Sequence, residues 1–399
     1  MTREVKETIR RYLLLRTASA FGISFIAATY VTYLISNGLN LFEVNLVNLA
    51  FFTTLFVCEI PTGAFADVFG RKLSFVISCL LFSVGMFIYG FVKSFWGFAL
   101  AEIIAAIGAT FASGAFQAWL IDRLRHQGYE GPLGGIFAKE QQIRSGMGII
   151  AAIIGAFLAD KNMSLPWFAG GCVMALAGCL AIIYMKEEAE FVRQKFSFAD
   201  GIKSMTETVR VSTQYGLTNK AVRFVLITGV VQFFAVQAPN MQWQPFFGQF
   251  LPNKTSYGFL FASMAIAMMI GSAMAPWFLK KIKNEKIAIS LSQIAIGAGI
   301  FLTVFFHQLI PALGIFLMHE VARGLFVPLK DVYLNDNIPS KERATLISFD
   351  SISHHIGGMS GLLISGAAAQ YLSMPSAWML SGLTLVLSAL LLLRNGNKA

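Results

Sequence analysis

The sequence predicts an all-α membrane protein with twelve transmembrane helices in two six-helix bundles, and two observations lead to this prediction. Of its 399 residues, 56% are hydrophobic and 13% are charged, whereas about 25% are charged in an ordinary soluble domain. The hydrophobic residues fall in blocks of about 20, the length of helix that crosses a hydrocarbon layer of roughly 30 Å. This pattern excludes a cytosolic enzyme, a disulfide scaffold and an outer-membrane barrel.

Twelve apolar blocks predict the individual helices. Their approximate ranges are 12–36, 44–66, 73–92, 96–122, 142–160, 165–185, 221–248, 256–279, 287–306, 309–332, 344–370 and 375–393. With the N-terminus in the cytoplasm, the outer loops contain only Lys93, Lys161 and Lys254 among the 31 Lys and Arg residues. Because basic residues concentrate on the cytoplasmic side, both termini are predicted there, in the inner membrane. The net charge of +10 then reflects orientation and contact with anionic membrane lipids, with no nucleic-acid partner.

A long polar stretch divides the chain into two nearly equal halves. It predicts an N-terminal six-helix bundle over 1–185, a cytoplasmic linker over 186–219 and a C-terminal six-helix bundle over 220–399. A capping box followed by apolar residues at helical spacing predicts a short amphipathic helix in the linker, lying along the inner membrane surface. The residues that predict it are Ser197, Asp200, Ile202, Met205 and Val209.

A charged turn separates the second and third apolar blocks and reads Gly63-Ala-Phe-Ala-Asp67-Val-Phe-Gly70-Arg71-Lys72. Gly63 would permit close approach of a neighbouring helix, and Gly70 would permit a tight turn. Asp67 can bond to backbone donors or basic groups, while Arg71 can reach a carboxylate on a neighbouring helix. Such a cluster would lock two helices in one conformation and release them in another.

This turn resembles the signature loop of the major facilitator superfamily, whose pattern is GxxxDxxGRK. The resemblance implies the major facilitator fold and secondary transport by alternating access, in which the two bundles rock about a central site. It also implies that Asp67 and Arg71 form a conformational latch, and that Asp122 is the carboxylate that pairs with the arginine. The corresponding loop at 280–286 lacks the glycine and the aspartate, so the latch is expected to be asymmetric.

Ionisable residues inside the tenth and eleventh blocks predict a proton-coupling cluster. At about 1.5 Å per residue, Arg323 and Asp350 lie at one depth, and Glu320 and His354 lie together at another. Equal depth predicts two pairs across the helices, Arg323 with Asp350 and Glu320 with His354, although Glu320 could also meet Arg323 on its own helix. Buried carboxylates and histidine suit proton coupling. The alternative is a static salt-bridge network that fixes helix packing.

Three further charges lie inside apolar blocks of the N-terminal half. Arg16 and Glu59 lie in the inner third of neighbouring blocks, which predicts a structural ion pair between them. Glu102 lies in the outer third of the fourth block, where it could gate the external opening or extend outward to the membrane surface.

The seventh block carries Gln237, Asn240 and Gln244 on one helical face, beside Trp243. Neutral amides and an aromatic ring suit an amphipathic organic molecule better than a small ion, so these four residues are predicted to line a substrate cavity. The alternative is hydrogen bonding between helices, which amides also provide in membranes.

The expected function is transport of a small molecule by a monomer that uses no cofactor, metal or enzymatic chemistry. The segments 59–63 and 339–345 resemble bacterial efflux members of the superfamily, which favours a proton antiporter that exports its substrate. Drug antiporters of the superfamily usually carry GxxxGPxxGG in the fifth span, where this sequence has Ala151 and Ala152 in place of Gly-Pro. A proton symporter that imports its substrate is therefore the first alternative. A lipid flippase on the same scaffold is the second.

Overall fold

Helices account for the regular secondary structure of the described residues, which are 1–186, 210, 219–337 and 343–396 of this computed structural model. In chain order they are α1 (Arg3–Ser24), α2 (Tyr30–Ser36), α3 (Leu41–Phe69), α4 (Arg71–Phe91), α5 (Phe95–Ala112), α6 (Ala115–His126), α7 (Gly134–Lys161), α8 (Leu165–Tyr184), α9 (Lys220–Ala235), α10 (Gln237–Gly248), α11 (Lys254–Lys281), α12 (Glu285–Thr303), α13 (Leu309–Asn337), α14 (Arg343–Tyr371) and α15 (Met374–Gly396). The predicted all-α fold is confirmed. The predicted linker helix, with Ser197, Asp200, Ile202, Met205 and Val209, lies outside the described residues.

Ten helical segments of the described chain are long and apolar enough to cross a membrane. They correspond to ten of the twelve predicted spans. The first and eleventh predicted spans are also helical but do not meet this criterion. α1 carries several arginines, among them Arg16, and α14 carries Asp350 and two histidines. These polar residues lower the mean hydropathy of both helices. For this reason ten helices of the described chain, and not twelve, meet the criterion of length and composition.

Three of the predicted spans consist of two helical segments each. The first is interrupted at residues 25–29 between α1 and α2. The fourth is interrupted at Ser113 and Gly114, where Gly114 has a φ of +72°, a left-handed conformation that a residue without a Cβ adopts at little cost. The seventh is divided at Val236, between α9 and α10. The sequence is apolar on both sides of each interruption, so it predicted one continuous helix in each case.

The described chain divides into two compact units. The first contains residues 1–38, 50–186 and 253–261, and the second contains 39–49, 219–252, 262–337 and 343–396. The start of α3, residues 41–49, belongs to the second unit, and the start of α11, residues 254–261, belongs to the first. The bounds of the two predicted bundles remain a prediction.

Close helix packing in the first unit is set by small residues and stacked rings. A Cβ on Gly85 of α4 would lie 3.0 Å from the carbonyl oxygen of Ala101 on α5, so the two helices pack backbone against backbone. Near the first helix, the ring of Phe116 stacks between those of Tyr12 and Phe75, at 4.7 and 4.1 Å. These contacts position the charged residues of α1, α5 and α6.

In the second unit, α11 and α13 cross at two glycines. A Cβ on Gly271 would lie 1.9 Å from the carbonyl oxygen of Val321, and one on Gly324 would lie 2.0 Å from the carbonyl oxygen of Met268. Neither position has room for a side chain. The crossing therefore brings α11 into close backbone contact with the part of α13 that carries Glu320 and Arg323.

Candidate functional site

The turn between α3 and α4 brings Arg71 to Asp122. Gly70 has a φ of +105°, so the predicted tight turn is confirmed, and α4 begins directly after it. The Arg71 guanidinium donates a hydrogen bond to the Asp122 carboxylate of α6 within an ion pair. Lys72 Nζ donates to the carbonyl oxygen of Ile182 on α8 at 2.8 Å. The turn thus ties α4 to two other helices of the first unit.

Two expectations for this turn were wrong. Asp67 is exposed and has no hydrogen bond or ion pair with any residue that the structure describes, so it does not join Arg71 and Asp122. Gly63 does not mark a close helix contact, because a Cβ at this position would have no atom within 4 Å. In this conformation, Arg71 and Lys72 of the signature loop contact other helices, whereas Asp67 and Gly63 make no such contact with the described residues.

Arg16 pairs with Glu140 of α7, so the predicted pair of Arg16 with Glu59 is wrong. The Arg16 Nε donates to Glu140 Oε1 at 2.7 Å, and the hydroxyl of Tyr12 donates to Glu140 Oε2 at 2.5 Å. Glu140 was missed because it precedes the predicted fifth span, whereas α7 begins at Gly134 and includes it. Glu59 is exposed and accepts a hydrogen bond from Ser113 at 3.3 Å.

Glu102 of α5 lies in the interior of the first unit, with 6% of its surface exposed. The hydroxyls of Tyr30 and Tyr89 both donate to its Oε1 atom at 2.7 Å. Trp167 covers this group, because its ring stacks on that of Tyr89 at 3.9 Å and 8°. Of the two alternatives for Glu102, outward extension is therefore wrong, since the two tyrosines hold the carboxylate inside the unit, and a gate at the external opening remains a prediction.

The second unit holds a cluster of three ionisable side chains from α13 and α14, of which Lys330 and Asp350 are buried and His354 is half-buried. Lys330 Nζ donates to Asp350 Oδ2 at 2.5 Å and lies 2.9 Å from His354 Nε2. The same Nε2 atom is 3.3 Å from Asp350 Oδ1. Phe233 of α9 stacks on the His354 ring at 4.0 Å. His354 Nε2 therefore faces an ammonium group and a carboxylate at once.

The two predicted pairs across α13 and α14 were wrong. Asp350 pairs with Lys330 instead of Arg323, and Glu320 pairs within α13 instead of with His354. Equal depth gave the wrong partners because it ignores which face of each helix a side chain occupies. Lys330 is the only lysine inside the twelve predicted ranges, a signal that could have identified it.

Glu320 belongs to a second buried group on α13. Its Oε1 atom is 3.4 Å from Arg323 Nη1, the predicted alternative within one helix, and 3.6 Å from His319 Nε2. Glu320 Oε2 and His319 Nε2 are both buried and have no hydrogen-bond partner among the described residues. His319, which sequence reasoning missed, is held against α12, where a Cβ on Gly299 would lie 2.5 Å from the His319 Cβ.

The predicted amide stripe lies on α10. Gln237, Trp243 and Gln244 are buried, and Asn240 is half-buried. The Gln237 side chain packs against α14, where a Cβ on Gly361 would lie 2.9 Å from it. This contact packs Gln237 between two helices, and both cavity lining and the alternative of hydrogen bonding between helices remain predictions for these residues.

One amide of α10 was not predicted to take part. Gln242 is fully buried and donates to the carbonyl oxygen of Ser365 on α14 at 3.2 Å. It lies off the face defined by the other amides, so the stripe did not include it. No group of three or more His, Cys, Asp or Glu side chains that could hold a metal ion occurs in the part of the chain that the structure describes.

Apolar helices in this number and ionisable groups within them define a multi-pass membrane protein. A model of the Major Facilitator Superfamily matches residues 12–319 and 225–398. The chain therefore belongs to this superfamily of transporters.

The chain is similar to two proteins of Bacillus subtilis (strain 168). It is 26% identical over 369 residues to YxaM, an uncharacterized MFS-type transporter, covering 91% of this chain and 88% of YxaM. It is 25% identical over 323 residues to Multidrug resistance protein 1, covering 79% of this chain and 77% of that protein. Among solved structures, the nucleoside transporter NupG superposes with a TM-score of 0.77 at 12% identity, covering 96% of this chain and 97% of that chain. This structural likeness shows the major facilitator fold.

Proposed function

We propose that this transporter exports a small amphipathic organic compound across the cytoplasmic membrane by alternating access, in exchange for protons. Both termini would lie in the cytoplasm. The similarity to Multidrug resistance protein 1 over most of both chains supports export of an organic compound. The cluster of Lys330, Asp350 and His354 supports coupling to protons.

The position of His354 Nε2 carries the proposal for protons. Without a proton, this atom accepts a hydrogen bond from Lys330, and Asp350 Oδ1 is left without a hydrogen-bond partner among the described residues. With a proton, Nε2 would donate to Asp350 and repel the Lys330 ammonium. Because buried charges interact strongly, one proton would change the contact between α13 and α14. A proton gradient can thereby favour one conformation over another.

The pair of Arg71 and Asp122 is proposed as the latch of the cytoplasmic face. It joins α4 to α6, and both side chains are reachable from solvent, with side-chain exposures of 19% and 51%. An exposed ion pair contributes little stability, so it can open at small cost. Asp67, which has no partner here within the described residues, would take part in a different conformation.

Import by proton symport is the second candidate. It is favoured by Ala151 and Ala152, which stand where drug antiporters of the superfamily carry Gly-Pro, and both are fully buried in α7.

Proteoliposomes with a trapped pH indicator test the proposal, with ethidium as the amphipathic probe. In an acid-loaded vesicle, antiport predicts ethidium uptake together with alkalinisation of the lumen. His354→Gln and Asp350→Asn should reduce both signals to the level of empty vesicles, because the first cannot gain a charge and the second cannot pair with Lys330. His307→Gln and Asp336→Asn are matched controls at exposed positions and should transport normally.

The alternatives give different results in the same vesicles. Entry of a probe together with protons would identify a symporter, and movement of a labelled phospholipid without a pH gradient would identify a flippase. Ethidium transport that is unchanged in His354→Gln would refute the proposed role of the cluster.

A further inference from the structure

Glu102 differs from the other buried carboxylates in having no cation beside it. Within the described residues, the buried carboxylates are Glu102, Glu140, Glu320 and Asp350. Three of these lie in an ion pair with an arginine or a lysine. Glu102 instead accepts hydrogen bonds from the hydroxyls of Tyr30 and Tyr89. Its charge is therefore not balanced by an ion pair in this part of the chain.

The helices packed around Glu102 place tyrosines beside it, and their charged residues lie far from it. Glu102 is the only charged residue of α5, and α2 and α8 contain none. On α4 the charged residues are Arg71 and Lys72, at least 17 residues before Tyr89 and therefore about 26 Å away along the helix. A third tyrosine close to this group is Tyr33, whose hydroxyl donates to the carbonyl oxygen of Tyr89 at 2.7 Å.

A buried carboxylate without a cationic partner is costly, because hydroxyl groups only partly replace the water that it loses. Uptake of a proton removes this cost. Both tyrosines donate to Oε1, which leaves Oε2 as the oxygen that a proton can occupy. We propose that Glu102 is a proton-binding site of the first unit, in which Oε2 takes a proton from water while Oε1 keeps its two tyrosine hydrogen bonds. The use of this proton in transport rests on the proposed function.

The packing of the rings favours a proton over an organic cation. Tyr89 stacks on Trp167 at 3.9 Å and on Phe98 at 5.2 Å. These rings contact each other directly and leave no room between them for an ammonium group, which would need to lie over a ring face. A proton on Oε2 requires no additional volume. The other oxygen, Oε1, already accepts hydrogen bonds from the hydroxyls of Tyr30 and Tyr89.

Infrared difference spectroscopy on the purified full chain tests the proposal directly. A step from mildly alkaline to mildly acidic pH should produce the carbonyl band of a protonated, buried carboxyl group. Glu102→Gln should remove this band, whereas Glu130→Gln, at an exposed loop position, should keep it. Tyr89→Phe should move the band to higher frequency, because the carbonyl oxygen loses one hydrogen-bond donor. A purely structural carboxylate would show none of these changes.

Two results would overturn the proposal. One is a difference spectrum of Glu102→Gln that equals that of the unmodified protein, and the other is removal of the band by tetraphenylphosphonium at constant pH, which would assign an organic cation instead. If Glu102→Gln is not recovered as a monodisperse protein, the frequency of the carbonyl band in Tyr89→Phe tests the proposal instead. An unchanged band frequency in Tyr89→Phe would refute the site. A band lost in Glu102→Gln together with vesicles that show no proton coupling would keep this site and reject the proposed function.

Discussion

Two buried carboxylates of this transporter, Asp350 in the second unit and Glu102 in the first, are stabilised in different ways. In the second unit, Asp350 lies beside Lys330, so burial of one charge is balanced by burial of the opposite charge. In the first unit, Glu102 lies among aromatic rings and is held by two tyrosine hydroxyls. The comparison shows that burial alone does not determine the role of a carboxylate. The effect of neutralising it on stability depends on whether its partner is a cation or a hydroxyl group. The comparison predicts that neutralising Asp350 costs more stability than neutralising Glu102.

The largest effect is expected when Lys330 is replaced. Lys330→Met leaves Asp350 buried without its counter-charge, and loss of one partner of a buried ion pair costs about 3 to 5 kcal/mol. Thermal unfolding in detergent measures this loss, with Lys283→Met as the control at an exposed position. The double variant Lys330→Met with Asp350→Asn should recover part of the stability. A loss for Lys330→Met no greater than for Lys283→Met would contradict the balance of charges in the second unit.

A smaller effect is expected for Tyr89→Phe in the first unit. The substitution removes one donor to Glu102 but leaves the stacked ring in place, so we expect a loss of about 1 to 2 kcal/mol. Tyr129→Phe is the control, because its hydroxyl makes a long bond of 3.4 Å in an exposed loop. Equal unfolding temperatures for the two variants would show that the tyrosine hydroxyls do not stabilise Glu102.

Glu102→Gln sharpens the comparison further. An amide oxygen can still accept hydrogen bonds from Tyr30 and Tyr89, and no buried cation is left unpaired. The expected change in unfolding free energy is therefore under about 1 kcal/mol, in contrast to Asp350→Asn, which leaves Lys330 buried without a counter-charge. If both neutral variants lose the same stability in parallel unfolding experiments, the distinction between the two units fails.

The smallest change in stability is expected at the exposed pair of Arg71 and Asp122. Asp122→Asn should change the free energy of unfolding by no more than about 1 kcal/mol and yet slow transport, because the proposed latch would no longer hold its conformation. In this conformation, Asp67→Asn should leave stability unchanged, since Asp67 has no partner among the described residues. Transport by Asp122→Asn at the normal rate would show that the pair is an ordinary surface contact.

Composition and block length predicted the helical membrane fold because the hydrocarbon layer imposes both on every crossing segment. The same reasoning located Asp350 and Glu102 as residues of interest, because charges are rare in such segments. It gave wrong partners for Arg16 and Asp350, since depth along a helix does not determine the face that a side chain occupies. Asp122 was located by the resemblance to the signature loop of the superfamily. Glu140 precedes its predicted block and Lys330 lies near the end of another, where charges are common and attract less notice.

The glycine crossing of α11 and α13 also bears on how this part of the molecule can move. Side chains that interdigitate hold helices in register, but Gly271 and Gly324 present bare backbone on both surfaces. No side chain protrudes at this contact to resist sliding of α13 along α11. Such a displacement along the helix axis would carry Glu320 and Arg323 with it. A single methyl group at either glycine has no room at this crossing and would force the two helices apart.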